Sequence, residues 1–530
     1  MKNVTHTNGK LPNMHKKSDI QILRWLGLLI FLLGFTVFTA SIFLGHYQID
    51  ASTVQKASEY IPQEQVQLLN SLSGTRYASI LEAIQGLENT LNPEHKLPSY
   101  QWNEYKFWII KSAARGVLAE NPSLFLLLTI GLGALGALLF ILPGLTALPG
   151  IKNDGIFFRS ITSKGLLGIL LGGYLIAFYI ILYWYPEYIV NLIILVDPVS
   201  EFLRNKAADR WFLYGFLYTV AVTVMGIRMF IKYRHNRYQL IRTGSVIFFQ
   251  FGFAFMIPSI LERFNQPSMD LKNAWPLNYT FFMDWNIKSL LNSGNLGIFL
   301  FLWGILLSFV IVPLFTYLFG KRWYCSWVCG CGGLAETLGD PFRQLSSKTL
   351  KAWRIERIMI YSVLVFAVVM TVLQISNFLS NGALFGSYTW RVNKAYSFFI
   401  GSIFAGVVGT GFYPLMGNRV WCRFGCPLAA IMGIVQKFKS RFVITTNGSQ
   451  CISCGNCSTY CEMGIDVRWY AQRGQNIVRA SCVGCGICAA VCPRGVLKLE
   501  TTDPDKRYNV VLDDLIVEAM KTSEELNKAS

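Results

Sequence analysis

The chain is poor in charge. Only 15% of its 530 residues are Asp, Glu, Lys or Arg, against roughly a quarter in an average soluble domain. Hydrophobic residues make up 53% and the mean hydropathy is +0.39, more apolar surface than soluble cores can hide, so the composition points to an integral membrane protein. Histidine is scarce: His6, His15, His46, His95 and His235 are all there are. None lies well inside an apolar run, so the facing histidine pairs that hold b-type haem cannot be built. No C-x-x-C-H occurs either, which excludes covalent haem. The apolar runs hold almost no ionisable residue apart from Arg228, which reads as a snorkelling side chain. Pumps and transporters place carboxylates or lysines in mid-membrane, and their lack argues against that class. Cysteine is absent before Cys325, while eight of the 13 fall within Cys451–Cys492. That distribution excludes a disulfide framework and favours metal ligation.

What is present is a set of eight apolar stretches, each near the roughly 20 residues that cross a bilayer as a helix. They run Trp25–Gly45, Ser123–Ala147, Gly165–Tyr185, Trp211–Ile231, Gly244–Leu261, Leu296–Gly320, Ile358–Ile375 and Tyr396–Leu415. Tyr188–Val196 is too short to span and reads as interfacial or re-entrant. The first run is too long for a usual secretory signal and reads as a retained anchor. Lys and Arg are concentrated in alternate loops: Lys2 to Arg24, Lys152 to Lys164, Lys232 to Arg242 and Lys321 to Arg357. The intervening loops carry fewer, among them Arg204, Lys272 and Arg391. The positive-inside rule then places both termini in the cytoplasm. The net charge of +18 is explained by this bias, so no nucleic-acid partner is needed. Every cysteine falls on the reducing face, where thiolates survive as ligands.

The expected organisation is a basic tail (1–24), an anchor (25–45), a small exported helical domain (46–122) and a seven-span membrane domain (123–441). A ferredoxin-like domain (442–503) and a cytoplasmic tail (504–530) follow. The fold class is an all-α polytopic membrane protein with a small C-terminal α+β domain. In the exported piece, His46 and His95 read as solvated surface.

The strongest motif is a doubled one. Cys451, Cys454, Cys457 and Cys461, and then Cys482, Cys485, Cys488 and Cys492 before Pro493, both follow C-x₂-C-x₂-C-x₃-C, the spacing of bacterial two-cluster ferredoxins. A tight turn presents three thiolates to one cubane, and the fourth reaches the other. Cluster one is expected on Cys451, Cys454, Cys457 and Cys492; cluster two on Cys482, Cys485, Cys488 and Cys461. Zinc also takes Cys₄ sites, but it has no need of two identical runs with a glycine after each second cysteine (Gly455, Gly486). Glu462 stands where proline often follows the fourth cysteine.

Two shorter motifs stand at span exits: Arg322-Trp-Tyr-Cys325 through Cys329 and Cys331, and Arg419-Val-Trp-Cys422 through Cys426-Pro427. On a helix, i and i+4 share a face, so each pair can aim two thiols at one place. Cys325, Cys329, Cys422 and Cys426, with Cys331 as a substitute, form a candidate third metal or cluster site; the competing reading is reduced structural thiols. The neighbouring Trp323, Tyr324, Trp327, Trp421 and Phe424 fit an interfacial aromatic belt and, alternatively, the wall of a quinone site.

Spans followed by two Cys-x₃-Cys motifs and then a two-cluster ferredoxin module resemble the NosR/NapH-type membrane polyferredoxins, a group that includes the CcoG-type proteins. The resemblance covers roughly Trp211–Leu499. It implies membrane electron transfer between a quinol pool or cytoplasmic donor and a respiratory metalloenzyme such as nitrous oxide reductase, or service to its maturation proteins. Alternatives are a copper assembly factor that reduces metal, and a redox-sensing regulator. The chain departs from NosR in having some 75 exported residues where a flavin-binding domain would stand. Ser71-Leu-Ser-Gly-Thr-Arg-Tyr lacks the Ala-Thr of the flavin-attachment pattern, so FMN is not expected. Gly330 replaces the usual proline of the first membrane motif.

Overall fold

The computed structural model describes residues 17–92, 97–145, 148–150 and 152–507; His6, His15, His95 and most of the basic tail lie outside them. Among the described residues, eight helices are long and apolar enough to cross a membrane: Asp19–Phe43, Pro122–Gly144, Leu166–Trp184, Arg210–Lys232, Arg237–Arg263, Gly294–Phe319, Leu350–Leu379 and Ser387–Gly411. Each coincides with an apolar stretch of the sequence. The fifth and seventh are much longer than their apolar runs because the helix continues into polar flanks. π-helical segments, Phe249–Met256 and Leu307–Ile311, immediately precede Ile257-Pro258 and Val312-Pro313. A widened turn there accommodates the missing proline N–H without ending the span.

The chain divides into two compact units. The first comprises the residues to Leu148 together with Glu187–Pro198. Its two spans touch backbone to backbone: a Cβ on Gly136 would lie 2.3 Å from the Phe31 nitrogen, and one on Gly27 2.5 Å from the Phe140 nitrogen. Only glycine permits that approach. Between these spans, helices Ala51–Ala57, Gln63–Asn70, Ile80–Leu91 and Ser99–Ala113 surround a core of Leu69, Ile84, Leu87, Ile109 and Ile110. A three-stranded antiparallel sheet joins them, with His46–Gln48 between Arg76–Tyr77 and Ala114–Arg115. The segment is thus not purely helical as expected, since strands of two or three residues carry no alternation to read. Tyr188–Val196, read as interfacial or re-entrant, contains the buried helix Val190–Ile194, where Asn191 donates to the carbonyls of Ile42 (3.2 Å) and Leu44 (2.6 Å).

The second unit holds the remaining six spans and the C-terminal module. In the module, Phe442–Thr446 pairs antiparallel with Leu497–Thr501, Phe442 opposite Thr501 and Thr446 opposite Leu497. Short helices Asn456–Thr459, Val467–Gln472 and Ile487–Ala490 lie between. Residues 264–283, between spans five and six, turn back into the bundle. The Trp275 N–H donates to Ser308 Oγ midway along span six (2.9 Å), and its indole N–H to Thr371 Oγ1 of span seven (2.9 Å). Irregular backbone is tolerated at such depth only where protein covers it. Lys272, expected in a surface loop, is therefore buried, and its ammonium lies 2.6 Å from Asp270.

Candidate metal centre

In the C-terminal module the turn chemistry explains the motif. Gly455 and Gly486, each following a second cysteine, have φ of +79° and +74°, the left-handed region that costs a side chain about 1–2 kcal/mol. Each starts a short helix carrying the third cysteine, Cys457 or Cys488. Cys451, Cys454, Cys457 and Cys492 wall one small cavity together with Pro493 and Arg468. Cys482, Cys485 and Cys461 form a second neighbourhood around Cys488: burial pushes the Cys488 thiol well up, and the charges of those three add to it. The first of the expected sets of four cysteines thus lines one cavity, and the members of the second lie near Cys488, each set including the last cysteine of the other run.

The membrane motifs form differently. Arg322–Cys325 is one helical turn, Cys329 is extended (φ −66°, ψ 136°), and Gly330–Glu336 is a new helix. Trp421–Gly425 is a π-turn, and Cys426 is extended before Pro427–Phe438. The i,i+4 pairing on one helix is therefore not the device: each motif breaks at its second cysteine, which caps the next helix. The thiols still converge. Burial and then the charges of Cys422, Cys329 and Cys325 raise the Cys426 thiol. Cys331 hydrogen-bonds Cys329 and holds it below the ordinary thiol range, with the Gly332 amide and the Lys272 charge assisting. Cys331 itself is held up.

Cys329, Cys331 and Cys422 also line a cavity of about 460 Å³ inside the bundle, whose wall includes Tyr218, Tyr279 and Tyr324 together with Asp270 and Lys272 of the re-entrant segment. Of the aromatics singled out in the sequence, Tyr324 and Trp421 face this cavity. The Tyr324 hydroxyl donates to the Lys272 carbonyl (2.6 Å).

A buried ion network, which no sequence pattern announces, joins the two thiol regions. Asp340 meets Arg228 (2.7 Å), Lys232 (2.6 Å) and Arg343 (2.8 Å). Glu336 meets Arg242 (2.7 Å), Arg419 (2.9 Å) and Arg343. Glu462 meets Arg343 (2.8 Å) and Arg419 (2.9 Å). All eight side chains are at most 3% exposed, and the cations outnumber the carboxylates by two. Arg228 is thus an interior ion-pair partner and does not snorkel. Glu462, at the position where proline often follows the fourth cysteine, ties the module to Arg343 and Arg419. The guanidinium of Arg419 also lies 3.6 Å from Cys422 Sγ and donates to the Cys325 carbonyl (3.2 Å). An interior with excess positive charge beside clustered thiols fits anionic, thiolate-bound metal.

Comparison with known proteins defines the class first. Residues 301–349 and 397–445, which contain the two membrane motifs, match the family model "4Fe-4S binding domain", and residues 450–497 match "4Fe-4S dicluster domain". The chain thus carries 4Fe-4S ferredoxin-type domains in a protein with eight apolar helices. Among individual proteins, it is 26% identical over 174 residues to the putative electron transport protein YccM of Escherichia coli (strain K12), covering 31% of this chain and 46% of that one. It is 26% identical over 164 residues to the methylamine utilization ferredoxin-type protein MauN of Methylorubrum extorquens, covering 29% and 53%. The MauN protein of Paracoccus denitrificans is 27% identical over 164 residues, with the same coverage. The chain spans about half the length of the curated relatives it matches. No solved structure matches it significantly.

Proposed function

We propose that this protein is a membrane-bound iron–sulfur electron carrier whose C-terminal module holds two [4Fe-4S] clusters, one on Cys451, Cys454, Cys457 and Cys492 and the other on Cys482, Cys485, Cys488 and Cys461. The grouping of those cysteines into two interleaved sets of four carries the reading. Bound there, the clusters supply one-electron redox chemistry. The chain's own residues supply the rest: glycines shape the turns, and the cationic interior offsets cluster charge.

A third cluster or metal on Cys325, Cys329, Cys422 and Cys426, with Cys331 as fifth thiol, is the second part of the proposal. The convergence of these thiols and the match of both motifs to a 4Fe-4S binding model support it. The site would carry electrons into the membrane. The cavity beside it, lined by tyrosines and an Asp–Lys pair, supports a quinol as the membrane-side donor or acceptor. The other end of the route is a respiratory reductase or its maturation machinery; nitrous oxide reductase is the case drawn from the NosR resemblance. The positive loop bias supports an inner-membrane location with both termini and all clusters cytoplasmic.

Anaerobic purification with iron and sulfide quantitation and EPR tests the assignment, on the wild type and a Cys325→Ser/Cys422→Ser double variant. About twelve irons per chain falling to about eight is expected for three cubanes. About eight in both removes the third site, and fewer than about eight in the wild type removes the ferredoxin assignment.

A further inference from the structure

Lys321 sits between the two thiol regions, hydrogen-bonded to a carbonyl of the second and placed four residues before the first cysteine of the other. It is 1% exposed, and its ammonium donates to the Ala480 carbonyl at 3.0 Å. The buried cations Arg228, Lys232, Arg242, Arg343, Arg419 and Arg423 each reach a carboxylate. Among the described residues Lys321 reaches none. Removing an ammonium from water without a counter-charge costs several kcal/mol, so an anion belongs beside it.

The surroundings say which. Lys321 ends span six and lies four residues before Cys325; Ala480 lies two residues before Cys482. The Lys321 backbone N–H donates to Gln436 Oε1 (2.7 Å), and the amide nitrogen of Gln436 donates to the carbonyls of Arg479 and Cys482 (2.7 Å each). Ser326 Oγ donates to the Val483 carbonyl (2.8 Å). Gly484 has φ +59°, and a Cβ on it would lie 2.6 Å from the Arg322 Cβ, so the Cys482–Cys485 turn is clamped against the first membrane motif.

We propose that Lys321 is a shared counter-ion, a positioning residue whose single positive charge serves both the cluster on Cys461, Cys482, Cys485 and Cys488 and the metal on the membrane-proximal cysteines. It makes the two sites electrostatic neighbours. An electron arriving on either is stabilised by the same ammonium, and filling one site weakens the stabilisation left for the other. The proposal rests on the assignment of both sites given above.

Redox titration followed by EPR, on full-length protein purified anaerobically, provides the test. Iron and sulfide content is measured first, and a wild type lacking either site defeats the assignment before any potential is read. In Lys321→Met and Lys321→Gln, reduction of the cluster on Cys461, Cys482, Cys485 and Cys488 becomes at least tenfold less favourable, about 59 mV more negative for one electron. Lys321→Arg stays near the wild-type potential. Emptying the membrane-proximal site with Cys422→Ser and Cys426→Ser raises that potential when Lys321 is present, and changes it less in the Lys321→Met background. Superimposable titrations for Lys321→Met and wild type overturn the proposal. Should both neutral variants assemble without iron, retention of iron by Lys321→Arg supports the charge requirement, and its equal loss there overturns it.

Discussion

The two cysteine regions reach a similar outcome by opposite means. In the C-terminal module, backbone conformation places the thiols: left-handed glycines and one-turn helices aim three cysteines from each consecutive run, and the partner run adds the fourth. In the membrane motifs the backbone is broken at each second cysteine. The parts are held by long-range side chains, above all the network of Arg343, Arg419, Glu336, Asp340 and Glu462. A thiol group placed by its own turns is written fully as spacing; in one held by tertiary contacts the spacing shows the thiols, while the charged residues that hold them are scattered along the chain.

The largest effect that would sharpen this contrast comes from the network. Arg343→Met leaves Glu336, Asp340 and Glu462 short of a buried partner, and a loss of about 3–5 kcal/mol is expected, read as a lowered unfolding temperature in detergent. A change under about 1 kcal/mol would show that the network does not hold the motifs together. Acid attacks the same feature. Asp340 and Glu336 are held well below the ordinary carboxylate range by the surrounding cations, against the opposing effect of burial. The folded state therefore keeps them ionised at pH values where the unfolded chain has taken up protons. Their contribution is fully present above the unfolded values near 4 and is lost as pH falls below them. Unfolding monitored from pH 7 to pH 3 should show stability falling chiefly below about pH 4.5; a flat profile contradicts the ion-pair account.

The local devices are worth less. Gly455→Ala should cost about 1–2 kcal/mol through backbone strain. Gly486→Ala should cost more, because its Cβ would also lie 2.9 Å from the Tyr238 ring. Equal stabilities for the two variants would remove Tyr238 from the account. Smallest, and confined to the first unit, is Asp50→Ala. Asp50 caps Ala51–Ala57 by accepting from the Thr53 N–H at 2.8 Å, and its loss should cost about 1 kcal/mol without altering iron content in either cysteine region.

The legible part of the protein follows from the same division. Eight spans were readable because lipid demands continuous apolar helices, and the C-terminal cysteine runs because their spacing repeats; the strands that flank them were not placed from the sequence. Nor was the re-entrant segment at Asp270–Tyr279. Its sequence looks like any loop until Ser308 and Thr371 are seen to accept from Trp275, and Tyr324 to donate to the Lys272 carbonyl. Arg228 and Lys232 looked like residues at a span end, since the Asp340 that pairs with both lies 108 or more residues away in sequence. Glu462 was visible as a departure from the ferredoxin pattern, and its reason lies in arginines of another segment.

That placement of Glu462 bears on how the protein can be made. A module cut at Phe442 would leave behind Arg343 and Arg419, which neutralise Glu462, and Gln239 and Gln436, which donate to the carbonyls of Cys485 and Cys482. The C-terminal module is completed by groups from segments that lie between and after the spans and, in Gln239, from the end of span five. A chain cut at Phe442 should therefore unfold more readily than the same module in the full-length protein, because four of its contacts are supplied from outside it.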